Sequence, residues 1–142
     1  MFLKDVNRKA IVLYLTLKQL HIAFAVTSIG LFALRWLVSL SVRRWLQHPF
    51  FRVLPHLIDT LLLAFAIALC LILQQYPIAQ DWLTAKVVAL VVYVLLGYVA
   101  IKGGKNFTQR FIAGIASLVV AGYIVGVAIY HNPWSWAVNY LN

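Results

Sequence analysis

The chain has 142 residues, 64% of them hydrophobic, 14% aromatic and only 11% charged. A soluble domain carries about a quarter charged residues, and one of this size has too little interior to hide so much apolar surface. The composition therefore predicts an integral membrane protein. Its net charge of +9 comes from twelve Lys and Arg against three Asp, with no Glu. The basic residues cluster between apolar runs, which reads as membrane-flanking anchors and excludes a nucleic-acid partner. One cysteine, Cys70, excludes an internal disulfide and a cysteine-based zinc site. No small-residue cleavage site follows the basic start and first apolar run, so no signal peptide is predicted.

Crossing the hydrocarbon takes about 20 mostly apolar residues. Four runs qualify, at 12–40, 54–73, 83–101 and 111–130. The connections "SVRRWLQHPFFR", "QQYPIAQD" and "KGGKNFTQR" are short enough to make consecutive spans antiparallel neighbours. The expected fold is all-α, one membrane domain over 1–142, built as a bundle of four antiparallel transmembrane helices.

In the first span, Tyr14, Lys18, His21, Ala25, Ser28, Phe32 and Arg35 follow the spacing of one helix face. A polar stripe on an apolar span belongs in the bundle interior. The second span opens with "RVLPHLIDTLLL", where Pro55 suits a first helical turn and Asp59 opposes the positive end of the helix dipole. In the third span Lys86, Tyr93, Gly97 and Ala100 share a face. In the fourth, Ser117, Ala121, Gly122 and Gly126 provide small residues for close helix approach. Tyr14, Tyr76, Trp82, Tyr130, Trp134 and Trp136 all fall at one membrane face, as an interfacial belt does. Six basic residues in the first and third connections against four at the N-terminus favour those connections on the cytoplasmic side.

Taking each connection as a mirror, with about 1.5 Å of rise per residue, assigns depths. Arg35 falls level with Pro55 and His56, and Asp59 lies a turn deeper. His21 falls near Leu69 and Cys70, at the depth of Lys86. The polar residues thus form two groups about 20 Å apart. Arg35, His56, Asp59 and Thr60 make a structural or relay cluster, with an Arg35–Asp59 ion pair clamping spans one and two. His21, Lys86, Lys18 and Tyr93 make the candidate cofactor-binding set, and His21 is the candidate metal ligand. A deep imidazole also serves simply as a hydrogen-bond partner of a neighbouring helix. His48 and His131 read as surface residues at the membrane edges, and Cys70 as core packing. No Gly-rich phosphate loop, paired carboxylates or nucleophile–base arrangement is present, so no catalytic residue is assigned.

The segments "LKQLHIAFAVTSIGLFALR" (17–35), "RVLPHLIDTLLL" (52–63) and "DWLTAKVVALVVYVLLGYVAIKGG" (81–104) together resemble the SirB family of small bacterial inner-membrane proteins, named as up-regulators of invasion gene expression. The chain departs from that family's pattern at Gly103, where an arginine usually follows the lysine, so any role of that arginine does not carry over. The family is distantly similar to membrane-type protoporphyrinogen oxidase and to copper-resistance membrane domains. That resemblance implies His21 as a haem-side ligand and Lys86 as its accompanying cation. The expectation is a membrane protein binding haem b, a porphyrin or a quinone near His21 and Lys86. The alternative is a non-catalytic accessory, assembly or regulatory subunit, with other membrane subunits or further copies of itself as partners in the bilayer. A transporter ranks last, because four spans without a repeat would need an oligomer to form a pathway.

Overall fold

Hydropathy marks where a helix crosses lipid, but nothing at the membrane edge stops the first helix here. In the computed structural model, which describes residues 1–141, α1 runs unbroken over Phe2–Ser41. At 1.5 Å per residue it is about 60 Å long, roughly twice the hydrocarbon thickness. No Gly or Pro interrupts the ten residues ahead of the predicted span, and Asp5 lies in the first turn, where a carboxylate favours the helix dipole.

The second helix also starts earlier than expected. His48 Nδ1 accepts from the Phe50 N–H at 3.3 Å, and Pro49 takes the first helical position of α2, Pro49–Leu73. Pro55 is therefore a buried residue inside the helix and not its start. A proline there removes one backbone donor from the ladder. Then follow α3 over Asp81–Tyr98 and α4 over Phe107–Tyr130. The Asn106 side chain caps α4 by accepting from the Gln109 N–H at 2.9 Å. Short helical turns follow α1, α3 and α4: Arg43–Gln47, a π turn over Val99–Gly103, Ser135–Ala137, and finally α5 over Val138–Leu141. Four helices are long and apolar enough to cross a membrane, and no strand occurs among the described residues.

These helices assemble as two antiparallel hairpins, α1 with α2 and α3 with α4, joined where α1 packs on α4 and on the π turn. Despite their short connection, α2 and α3 make almost no direct contact, so the bundle is open along that side. The core is concentrated toward the first and third connections, around Phe32, Trp36, Ala100, Ile101 and Ala113.

Trp36 is the centre of that core, only 4% exposed. Its indole lies directly against the Cα of Gly114 on α4, where any Cβ would collide with the ring. The indole N–H donates to the Arg110 carbonyl at 3.0 Å. Arg110 reaches back to the Ser39 carbonyl on α1 and, at 3.4 Å, to the Ala100 carbonyl in the π turn. Nearby, Phe32 packs edge-on against Tyr93 with ring centroids 5.3 Å apart, and a Cβ on Gly97 would stand 3.1 Å from the Phe32 ring. Glycine is needed at these crossings because it lets an aromatic side chain of one helix touch the backbone of another.

The other expected glycine pair acts differently. Gly126 makes room for Ser135 and Trp136 of the C-terminal turn, while nothing lies within 4 Å of a Cβ placed on Gly122. That spacing folds the chain's end back onto α4 and does not join two spanning helices.

Trp36→Ala is expected to lower stability by roughly 3 kcal/mol, measured by equilibrium unfolding in mixed detergent. Gly114→Ala is expected to lower it as well, whereas Gly30→Ala, with open space around its Cβ, leaves it unchanged or slightly raised.

Candidate functional site

At the level where the core thins, three helices contribute polar groups. His21 of α1 is half-buried, with the Leu62 carbonyl of α2 and Lys86 of α3 beside its ring. Its Nδ1 is buried without a hydrogen-bond partner. Lys86, also half-buried, faces Cys70 of α2. An unpaired buried nitrogen costs about 1–3 kcal/mol, a cost that the Leu62 carbonyl beside the ring offsets only for the nitrogen it bonds. An imidazole nitrogen accepts from or donates to a ligand oxygen, or ligates a metal. An ammonium one side chain away attracts a carboxylate or another anionic substituent.

Of the four residues assigned to this site, two are brought together and two are not. Lys18 is exposed and rests over the Tyr14 ring, 5.9 Å from its centroid. Tyr93 lies within electrostatic reach of Arg35 and Asp59, so it belongs to the other polar group. Seven residues of helix separate Lys86 from Tyr93, about 10 Å along α3.

That second group is also rearranged. The Asp59 carboxylate accepts from Ser28 Oγ at 2.6 Å, a short bond across α1 and α2. Arg35 feels the Asp59 charge, yet its Nε is buried with no hydrogen-bond partner. The expected clamp is therefore a serine–carboxylate bond with the guanidinium nearby. Because α2 begins at Pro49, Asp59 lies in its third turn, beyond the reach of the N-terminal dipole.

His56 and Thr60 leave the cluster altogether. Both are exposed on the outer side of α2, and the Thr60 hydroxyl turns back to the His56 carbonyl at 2.7 Å. Asp59 touches α1 through Ser28 and faces Tyr93 of α3, so it borders the gap between α2 and α3.

The remaining histidines have local duties. His48 caps α2, and His131 packs edge-on against Trp82 with centroids 4.5 Å apart, tying the start of α3 to the end of α4. Among the described residues, no three His, Cys, Asp or Glu side chains gather to hold a metal ion. Metal binding by His21 would use a single imidazole. Sequence reasoning had placed Ser28 on the correct helix face without giving it a role. Its seven-residue spacing from both His21 and Arg35 was the available signal.

A double-mutant cycle over Ser28→Ala and Asp59→Asn is expected to show a coupling of about 1 kcal/mol in detergent unfolding. Additive losses would mean that the serine–carboxylate bond contributes nothing.

Residues 14–133 match the family model described as "Invasion gene expression up-regulator, SirB". The chain is 33% identical over 128 residues to Protein YchQ of Escherichia coli K12, covering 83% of this chain and 94% of that protein. It is 32% identical over 126 residues to Protein SirB2 of Salmonella typhimurium LT2, covering 82% and 94%. A protein of Haemophilus influenzae is 35% identical over 79 residues, 56% of this chain and 61% of that relative. No solved structure matches. With a matching family model over most of its length and two relatives above 30% identity covered to 94%, the chain belongs to the SirB family.

Proposed function

We propose that this SirB-family protein holds a lipophilic ring compound bearing carbonyl or carboxylate groups, of the haem b, porphyrin or quinone class, at His21 and Lys86. One observation carries the reading: the buried, unpartnered Nδ1 of His21 beside a half-buried lysine in the membrane interior. Ionisable residues at such depth are expensive to keep and are usually functional. His21 would supply one ligand or hydrogen bond, and Lys86 would pair with an anionic edge of the ring. A bound haem or quinone would supply electron-transfer chemistry. The chain's part is to orient the ring and exclude water from it. The bacterial inner membrane is the proposed location, because outer membranes of such bacteria take closed barrels while these spans are helices, and the relatives are bacterial.

A second reading, an accessory or regulatory subunit, is favoured by the first turns of α1. Phe2, Leu3 and Val6 are 80, 81 and 50% exposed there, with no other helix covering them. The family description speaks of gene-expression up-regulation. A chain whose basic residues sit at membrane edges acts on transcription only through another protein.

Protein purified in detergent and titrated with haemin is expected to develop a Soret band that His21→Ala abolishes and Lys86→Gln weakens about tenfold in affinity, the loss of one favourable charge contact. If neither haemin nor a short-chain quinone binds saturably, the ligand reading fails. Recovery of a stoichiometric partner from native membranes would then support the second.

A further inference from the structure

The outer face of α2 carries polar side chains that the His21–Lys86 site does not use. Arg52, His56 and Thr60 recur at four-residue spacing and are all exposed. With Val53 and Leu57 they line a shallow, wide-open and mostly apolar groove on one face of that helix. Arg52 lies in the first turns of α2, close in sequence to Arg43 and Arg44 of the preceding turn, and so at headgroup level. His56 is one helical turn deeper, about 6 Å. Beyond Thr60 the same side of α2 becomes apolar, with Leu63, Ile67 and Leu71 each more than half exposed.

An imidazole turned toward lipid one turn below the headgroups is costly unless something satisfies it. The chain does not provide it. The first and third connections contain no acidic residue, and Asp59, the nearest carboxylate, is engaged by Ser28. Arg110 is spent on two carbonyls, which leaves Arg43, Arg44 and Arg52 unopposed by any acid at this edge. An anion at the depth of Arg52 and His56, joined to a hydrocarbon chain, would match both the basic end of this face and the apolar strip below it.

We infer that this groove binds an anionic membrane phospholipid, with the headgroup phosphate between Arg52 and His56 and an acyl chain laid along the α2 face. Charge complementarity selects it over a zwitterionic lipid, because no carboxylate is present at this edge to receive a choline or ethanolamine. Clusters of Lys and Arg next to a spanning helix attract anionic headgroups, each basic residue contributing about 1 kcal/mol.

The test uses the full chain in mild detergent, with native mass spectrometry and thermal melting as readouts. Phosphatidylglycerol is expected to be retained and to raise Tm, while phosphatidylcholine and inorganic phosphate do neither. Arg52→Gln with His56→Gln is expected to cut retention about tenfold or more, since each basic contact is worth about 1 kcal/mol. Arg44→Gln, outside the groove, serves as the control. If the double variant folds poorly, a photoactivatable phosphatidylglycerol on the unaltered chain is expected to label α2 between 53 and 64. Equal retention of phosphatidylcholine, an equal shift with inorganic phosphate, or labelling elsewhere overturns the inference. So does a lipid-independent dimer that the same two substitutions dissociate, because the face would then bind a second copy.

Discussion

The contact between the Trp36 indole and the bare Cα of Gly114 is the constraint on which the bundle depends. Within a membrane the hydrophobic effect does not drive helices together, so close packing and interhelical hydrogen bonds must. Trp36 supplies both, by lying flat on α4 and donating to the Arg110 carbonyl. Arg110 completes the junction by binding carbonyls from α1 and the π turn. Beside this junction, the two hairpins meet where Phe32 of α1 packs on Tyr93 and Gly97 of α3. With these contacts, the depth of every residue on α1 is set relative to α3 and α4, including His21 against Lys86.

Polar groups below the headgroups divide according to what satisfies them. Ser28 and Asp59 satisfy each other, and Ser117 donates to the Tyr93 carbonyl at 3.0 Å. His21 Nδ1 and Arg35 Nε are the buried side-chain atoms left without a partner among the described residues. Both lie on the α1 stripe that faces the other helices. The packed core occupies one end of the bundle and the unsatisfied imidazole lies toward the other, so tight packing and the unpaired polar atom are separated along the same helices.

The four spans, their order and the interior stripe of α1 from His21 to Arg35 were legible in the sequence because hydropathy and helical period report burial directly, whereas Lys18 of the same stripe is exposed. The start of α2 was misread for a local reason. Two prolines, Pro49 and Pro55, compete for the first-turn position, and only the His48 cap decides in favour of the earlier one. The Asp59 partner was misassigned because depth alone offered Arg35, while side-chain direction across the hairpin selects Ser28. Trp36 on Gly114 had no local signal at all, being a contact between residues far apart in sequence whose partner has no side chain. Tyr93 moved from one polar group to the other because a shared helix face spans two depths.

The open side between α2 and α3 has a consequence for how a molecule would arrive. Lys86 and Cys70 face each other from the two helices that do not close on one another. A hydrophobic compound of the proposed class, already dissolved in the leaflet, would meet these residues by sideways diffusion, without crossing a headgroup layer or shedding water on the way. Partitioning raises its local concentration, and the search runs in two dimensions instead of three. Occupancy would then follow how much of the compound the bilayer stores, more than how much is free in the aqueous phase.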